Sequence, residues 1–256
     1  MSDHVLTEVQ DQVLRIRLNR PDKKNALTLA MYDALVKAFQ RAETDPGIRA
    51  MFLAGTADCF TSGNDLMDFL KNPPTGAESP VTRFLAALPD LAKPLVAAVN
   101  GPAVGVGVTL LLHCDLVYAG RSARLQMPFV NIGVCPEAAS SVLLPAIMGH
   151  VRAAELILLG EPFGAEHARD YGLVNAVFDD AEVQARAWEK AVRLAQQPPA
   201  ALRTAKELLK RGQRERVREA MALEGEKFMA MVRGPEAVEA MTAFMQKRKP
   251  DFSKAG

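Results

Sequence analysis

Two glycine-bearing turns are the first segments whose residue types could support chemistry. Residues 60–66 are Phe-Thr-Ser-Gly-Asn-Asp-Leu, and residues 100–107 are Asn-Gly-Pro-Ala-Val-Gly-Val-Gly. Glycine lets a backbone approach a bulky group closely, and a helix start carries free N–H donors and partial positive charge. Two such turns can aim two N–H groups at one developing oxyanion. Either turn alone also suits an ordinary strand-to-helix connection.

Glu137 is the candidate for proton transfer. It lies in Val-Cys-Pro-Glu-Ala-Ala-Ser-Ser at 134–141, just before an apolar helix pattern. A positioned glutamate can remove or return a proton in a reaction, whereas a glutamate at a helix start also stabilises the helix dipole without doing chemistry. Asp68 and Glu78 lie in or near the loop after the first turn and could supply a second carboxylate in the fold.

Other kinds of site find less support in the sequence. His113 falls in an apolar helix pattern and is predicted to be packed, and Ser140 and Ser141 have no His/Asp constellation to activate them. The segment 105–107 lacks the full G-x-G-x-x-G spacing of a dinucleotide site. No structural zinc is expected, because no Cys-x-x-Cys spacing joins any of the three cysteines, Cys59, Cys114 and Cys135.

Composition narrows the functional classes. The chain has 256 residues and a formal net charge of +1, which offers no electrostatic argument for binding nucleic acid or an anionic membrane. Residues 95–112 are uncharged but are broken by Asn100, Gly101 and Pro102, so a strand, a turn and a helix are expected rather than a membrane span. Few cysteines, no signal-peptide pattern and no terminal Ser-Lys-Leu predict a cytoplasmic protein.

Strand and helix patterns alternate along most of the chain. Residues 13–18 alternate arginine with apolar side chains, as in a half-buried strand with a hairpin partner around residues 5–9. Apolar runs at 50–54, 95–99 and 115–119 predict buried strands, and Thr28 is the expected N-cap of a helix to about Glu43. The alternation predicts an α/β fold with a largely parallel sheet.

After about Val177 only helix patterns follow, and they cover residues 181–196, 199–211, 215–231 and 235–247. We therefore divide the chain into an α/β core, residues 1–195, and a helical C-terminal region, residues 196–256.

The motifs in their order along the chain resemble the enoyl-CoA hydratase/isomerase (crotonase) superfamily. The matching segments are Asn-Arg-Pro at 19–21, Asn-Ala-Leu at 25–27, Ser-Gly-Asn-Asp-Leu at 62–66, Asn-Gly-Pro-Ala-Val-Gly at 100–105, Cys-Asp at 114–115, and Gly-Leu-Val at 172–174, followed by Phe244 and Lys247. The resemblance implies a spiral of repeated strand-strand-helix units, with C-terminal helices that form trimers, often paired into hexamers.

The same resemblance implies an acyl-CoA substrate and a set of site residues. The thioester oxygen would be held by the backbone N–H groups of Asn64 and Val106. The coenzyme A and acyl path would be lined by residues from several segments, namely Ala26, Ser62, Gly63, Asp65, Leu66, Gly105, Phe129, Phe244 and Lys247. Asp65 could instead cap a helix start. Coenzyme A enters as part of the substrate, so neither a separate cofactor nor a metal is expected.

The reaction depends on which carboxylates are present. Enoyl-CoA hydratases use two glutamates to activate water, and this sequence has Thr109 and Phe129 at those positions. The pattern Pro-Phe-x-x-x-Gly-x-x-Pro-Glu at 128–137 resembles the peroxisomal type of delta-3,delta-2-enoyl-CoA isomerase, in which the glutamate matching Glu137 is the single base. The sequence therefore predicts a double-bond shift through a dienolate. The alternatives are another crotonase reaction, including hydration with a second carboxylate, and a non-catalytic acyl-CoA-binding protein.

Overall fold

The computed structural model describes residues 3–65, 67–68 and 76–254. Its strands are, in chain order, β1 (Val5–Gln10), β2 (Val13–Leu18), β3 (Ala50–Ala54), β4 (Leu95–Val99), β5 (Pro102–Val104), β6 (Leu116–Gly120), β7 (Arg124–Gln126), β8 (Phe163–Gly164) and β9 (Ala176–Phe178). Its α-helices are α1 (Leu29–Thr44), α2 (Pro80–Ala87), α3 (Val106–Thr109), α4 (Ser140–Met148), α5 (His150–Leu158), α6 (Ala165–Asp170), α7 (Val183–Ala195), α8 (Pro199–Arg211), α9 (Arg214–Met231) and α10 (Pro235–Met245).

The larger sheet has the order β1-β2-β3-β4-β6-β9, and every neighbouring pair after the β1–β2 hairpin is parallel. The hairpin turns at Asp11 and Gln12, whose φ angles of 51° and 61° are both left-handed; such a two-residue turn matches the twist of the strands. Strands β3 and β4 are buried along their whole length, as expected for parallel strands covered on both faces.

The smaller sheet has the order β5-β7-β8. Strand β5 follows β4 and strand β7 follows β6 along the chain, so successive turns of the chain place one strand in each sheet. A single bridge between Thr61 and Ala103 brings the segment after β3 alongside β5. The predicted α/β spiral of strand-strand-helix units is therefore the observed architecture.

Helices cover both faces of the larger sheet. Helix α1 begins after Thr28, whose side chain accepts a hydrogen bond from the Met31 N–H as predicted, and it buries Tyr32, Leu35 and Phe39 in the main core. Helix α7 packs on the opposite face, where its alanines meet Phe52 and Val96.

The predicted C-terminal helices correspond to α7 through α10, with bounds that agree within about two residues. The boundary between residues 195 and 196 falls directly after α7, but the division into two regions stays a prediction. No helix in the described ranges is long and apolar enough to cross a membrane.

Candidate active site

The two glycine-bearing turns lie against each other. Gly63 has a φ of +90°, and a Cβ there would lie 2.9 Å from the Val104 carbonyl oxygen. A Cβ on Gly107 would lie 2.5 Å from Thr61 Cγ2. Glycine is required at Gly63 because the Val104 backbone approaches closely, and at Gly107 because the buried Thr61 side chain does, so the two turns are packed in direct contact.

The turns leave two backbone donors unused. The Leu27 N–H donates to Gly63 O at 2.8 Å and the Asp65 N–H donates to Leu27 O at 2.9 Å, a parallel bridge in which the intervening N–H of Asn64 points away from Leu27. Val106 is the first residue of α3, where N–H groups have no partner inside the helix. Within the described part of the chain, neither the Asn64 nor the Val106 N–H has an acceptor. Their convergence on one oxygen stays a prediction.

Tyr32 connects the first turn to Glu137. Its buried hydroxyl donates a hydrogen bond to Asn64 Oδ1 at 2.5 Å, and its ring packs edge-to-face on Phe84 with centroids 5.2 Å apart. Burial, and secondarily the charge of Glu137, raise the pKa of Tyr32 well above its ordinary value. The Tyr32 hydroxyl therefore contacts the first glycine-bearing turn and lies within electrostatic reach of the candidate base.

Glu137 has the surroundings of a general base. Its side chain is 7% exposed, and its Oε1 is buried with no hydrogen-bond partner among the described residues. Burial, with a further contribution from the charge of Glu224, raises the pKa of Glu137 to about 7. A base with a pKa near the working pH is efficient at both taking up and releasing a proton, and an unpaired buried oxygen is free to meet a substrate proton.

The backbone that carries Glu137 is strained and held in place. Ala138 and Ala139 have φ angles of 59° and 57°, a left-handed conformation that costs about 1 kcal/mol or more for each alanine. His113 Nε2 lies 2.8 Å from Ala138 O. Burial lowers the pKa of His113 to about 4, so the ring is neutral and its Nε2–H can donate to that carbonyl. The predicted packed histidine therefore also restrains the loop beside Glu137.

Glu224, on α9, holds the same loop from the other side. Its Oε2 accepts the Ala139 N–H at 2.6 Å and its Oε1 accepts the Ser141 N–H at 3.0 Å. The side chain is 6% exposed, and burial raises its pKa although the two hydrogen bonds oppose that rise. A carboxylate from a distant helix thus caps the N-terminus of α4.

Sequence analysis missed Glu224. The available signal was an acidic residue at helical spacing from two apolar positions, since Glu224 lies on the same buried face of α9 as Val217 and Ala220.

A cleft of about 370 Å³ lies beside Glu137 between α2 and α9. Its wall is mostly apolar, with an exposed ion pair between Arg218 and Asp90 at 2.8 Å. The described lining residues are Val81, Thr82, Leu85, Ala86, Pro89, Asp90, Glu137, Ala138, Arg218, Met221, Ala222, Gly225, Phe228 and Met229. Glu137 is therefore in contact with a space large enough for an apolar group.

Some residues predicted to line the coenzyme A and acyl path make contacts that stabilise the fold. Asp65 Oδ2 pairs with Arg20 Nη1 at 2.7 Å, and its Oδ1 accepts the N–H groups of Met67 and Asp68. These contacts support the capping interpretation of Asp65. The carbonyl of Ala26 accepts a second bond from Arg20 Nη1, Ser62 is half-buried, and Leu66 lies outside the described residues.

The remaining candidates are dispersed. Phe129 is buried in the main core and is absent from the cleft's described lining, so its predicted place along the acyl path finds no contact there. Gly105, with a φ of +56°, precedes α3 and its N–H donates to Gln126 O. Phe244 is 68% exposed and Lys247 is exposed, and their contact with coenzyme A stays a prediction.

Neither suggested second carboxylate has the position of a base. Asp68 Oδ2 accepts the Leu29 N–H at 2.7 Å at the start of α1, and Glu78 is exposed.

Across residues 3–65, 67–68 and 76–254, no group of three or more His, Cys, Asp and Glu side chains could hold a metal ion. Burial raises the pKa of Cys59 to about 11 and that of Cys114 to about 12, which disfavours reactive thiolates.

Several known proteins resemble this chain in sequence and in fold. A family model described as Enoyl-CoA hydratase/isomerase matches residues 8–255. Enoyl-CoA delta isomerase 2 of Homo sapiens is 36% identical over 93% of this chain, although the chain spans only 62% of that relative. The 2,3-dehydroadipyl-CoA hydratase of Escherichia coli is 34% identical over 98% of this chain and 99% of its own.

A solved structure, that of Pseudomonas aeruginosa OdaA, superposes with a TM-score of 0.93 at 48% identity, covering 95% of this chain and 99% of its own. The family model covers nearly the whole sequence, and the shared fold and the paired turns are consistent with it. The chain belongs to the enoyl-CoA hydratase/isomerase family.

Proposed function

We propose that the protein is a delta-3,delta-2-enoyl-CoA isomerase with Glu137 as its single base. The observation that carries the proposal is the state of Glu137: a buried carboxylate oxygen without a partner among the described residues, a pKa of about 7, and a place beside both the oxyanion turn and an apolar cleft. The name of the human relative, enoyl-CoA delta isomerase 2, supports the same reaction.

The proposed steps need one carboxylate. Ionised Glu137 removes a proton from C2 of a 3-enoyl thioester, and the electron pair moves toward the thioester oxygen to give a dienolate. The N–H groups of Asn64 and Val106 stabilise that oxygen, and each such donor is typically worth about 3 kcal/mol in the transition state. Protonated Glu137 then returns the proton at C4, the double bond settles between C2 and C3, and the carboxylate is regenerated.

The site's polar groups favour isomerisation over hydration. Thr109 and Phe129 are both buried and cannot act as carboxylate bases. The carboxylate whose charge reaches Glu137 is Glu224, and both of its oxygens already accept backbone N–H groups. Hydration remains the second candidate because a relative of similar identity is named a hydratase.

The proposal extends to assembly, location and cofactors. We expect a homotrimer or a hexamer, since several large apolar side chains on the C-terminal helices are exposed in the single chain, including Leu208, Leu209, Val238 and Phe244. Free cysteines suit a cytoplasmic, reducing compartment. The proton transfers need no cofactor beyond the coenzyme A of the substrate.

The experiment is turnover of 3-hexenoyl-CoA by the wild type and by Glu137→Gln, with products separated by chromatography and the conjugated 2-enoyl thioester identified by its ultraviolet absorbance against a standard, because the two isomers have the same mass. The wild type should give 2-hexenoyl-CoA, and kcat of Glu137→Gln should fall by about 100-fold or more, the usual scale for a general base. Affinity for hexanoyl-CoA should change little, because the oxyanion donors are backbone groups. Glu78→Gln is the matched control, since Glu78 is exposed, and it should retain wild-type kcat.

Three outcomes contradict the proposal in different ways. Retention of most activity in Glu137→Gln would place the base elsewhere. Conversion of 2-hexenoyl-CoA to the 3-hydroxy product, without isomerisation, would favour the hydratase. Tight binding of acyl-CoA with no turnover of either enoyl substrate would favour a non-catalytic binder.

A further inference from the structure

Another pocket, of about 470 Å³, lies between α8, the start of α9 and the segment before β4. Its described lining carries four cations and one carboxylate, that of Glu207. Arg203, Lys206 and Lys210 share one face of α8, at three- and four-residue spacing, and the fourth cation, Arg214, is the first residue of α9. The pocket has the volume of an ordinary small-molecule site, and its charge is predominantly positive.

Three of these cations have no carboxylate to neutralise them. Lys206 pairs with Asp115 Oδ2 at 2.7 Å. Within the part of the chain that the structure describes, Arg203, Lys210 and Arg214 form no ion pair, and the buried Nε of Arg214 has no hydrogen-bond partner. The fold therefore brings like charges together without supplying the anion that would balance them.

Helix stability does not account for this arrangement. The dipole of α8 favours a cation near its C-terminus, which explains Lys210, but the dipole of α9 disfavours a cation at the position of Arg214. Burial lowers the pKa of Lys210, and the charge of Lys206 lowers it further. The cations thus repel one another in the free protein, and a bound anion would relieve that repulsion.

We infer that this pocket binds a phosphate group, either as inorganic phosphate or as part of a small phosphate ester. The planar guanidinium groups of Arg203 and Arg214 can each donate two parallel hydrogen bonds to phosphate oxygens, and Lys210 adds a point charge. Three unpaired cations against the one carboxylate of Glu207 leave two positive charges. A phosphate ester carries nearly two negative charges at neutral pH, so it would balance the pocket.

The pocket is separate from the site of the proposed reaction. Its described lining contains neither Glu137 nor any residue of the two glycine-bearing turns. At about 100° of rotation per residue, the exposed Leu208 and Leu209 lie on the side of α8 away from the four cations. The surface proposed for assembly therefore does not include the face of α8 that lines this pocket.

The test is calorimetric titration with inorganic phosphate, AMP and adenosine at low ionic strength. The wild type should bind phosphate and AMP but not adenosine, and added salt should weaken binding because it screens the charges. Arg203→Gln and Arg214→Gln each remove a guanidinium that forms no ion pair in the described residues, so both variants should fold. Each should weaken phosphate binding by about tenfold or more, the scale of a lost hydrogen bond to a charged group.

Arg211→Gln is the matched control, because Arg211 is an exposed arginine of the same helix outside the described lining. It should keep the wild-type affinity. Phosphate should also raise the thermal midpoint of the wild type and of Arg211→Gln, relative to sodium chloride at the same ionic strength, since a ligand of the native state stabilises it. That rise should be smaller in Arg214→Gln.

The two ligand sources give different results, and both support the site. AMP bound more tightly than phosphate would identify a phosphate ester, whereas equal affinities would identify inorganic phosphate. A wild type that binds no phosphate at millimolar concentration, or variants that all bind it equally, would overturn the inference. Weaker binding of hexanoyl-CoA by Arg203→Gln and Arg214→Gln would assign these cations to the coenzyme A of the proposed reaction and overturn the separate site.

Discussion

At the scale of single residues, the proposed reaction gives two buried glutamates different roles. Glu137 presents an oxygen without a partner among the described residues and has a pKa raised to about 7 by burial and by Glu224. Glu224 instead accepts two backbone N–H groups and acts on the reaction only through Glu137. One carboxylate is kept reactive, and the other keeps it in position.

These different roles of Glu137 and Glu224 predict that the pH dependence of kcat/KM changes in Glu224→Gln. The base must be ionised, so wild-type kcat/KM should rise with pH through about 7. Removing the negative charge of Glu224 makes ionisation of Glu137 easier, so the rising limb should move to lower pH. The plateau should also fall by about tenfold, because one hydrogen bond to a charged group is worth about 1.5 kcal/mol.

The control for that measurement is Glu226→Gln, which removes an exposed carboxylate from the same helix and should leave the profile unchanged. A lower plateau with an unmoved rising limb would mean that Glu224 acts only on the shape of the loop. A profile identical to that of the wild type would remove Glu224 from the mechanism.

The sequence pointed to Glu137 and to Asn64 and Val106 as candidates because those residues lie in contiguous motifs, and their catalytic roles stay predictions. It did not identify Tyr32, His113 or Glu224 as partners, since each acts on the site across 25 residues or more of sequence. Contacts of this kind depend on how elements pack, which local pattern does not encode. Asp65 lies in one of those motifs, but its observed contacts stabilise the fold. It caps nearby backbone N–H groups and forms an ion pair with Arg20.

At the scale of elements, the start of α3 is the part of the fold that can be tested most directly. Val106 is its first residue, a position where proline is well tolerated because the N–H has no helical partner. Val106→Pro therefore removes the proposed oxyanion donor with limited damage to the helix. We expect kcat to fall by about 100-fold or more, as when one oxyanion donor is lost, while the thermal midpoint falls only modestly.

Val106→Ala is the appropriate comparison, since it shortens the same buried side chain but keeps the N–H. Circular dichroism and thermal melts of both variants report on folding. Equal losses of kcat in the two variants would show that the side chain, rather than the backbone donor, matters at this position.

Elements with strong periodicity or a continuous apolar run, such as the strands at 50–54 and 95–99, were predicted well, whereas strands of two or three residues were not. The alternation at 13–18 and the four C-terminal helices correspond to observed elements. The smaller sheet was missed because β5, β7 and β8 have only two or three residues each. Strands of that length show no measurable periodicity and are defined by their partners in the other turns of the spiral.

At the scale of the whole molecule, exposed apolar side chains on the C-terminal helices predict association. Leu209, on α8, is 85% exposed, and patches of this kind mark protein interfaces. Light scattering at micromolar concentration should give the mass of a trimer or a hexamer. Leu209→Asp should lower that mass, because an interface residue would then bury an unpaired charge.

Thr204→Asp places the same charge at another exposed position of α8 and should leave the mass unchanged. A monomeric wild type, or a Leu209→Asp variant that assembles normally, would contradict the assignment of this surface.

The capping of α4 by Glu224 also sets an order of events during synthesis. Chains are made from the N-terminus, so both glycine-bearing turns and Glu137 leave the ribosome before α9 is finished. Until residue 224 arrives, the N–H groups of Ala139 and Ser141 lack their carboxylate acceptor, and the left-handed alanines have one restraint fewer. A nascent chain, or one cut by a protease ahead of α9, would carry the whole motif while its glutamate remained unfixed. Loss of the chain from α9 onward should therefore abolish the proposed activity while both sheets remain folded.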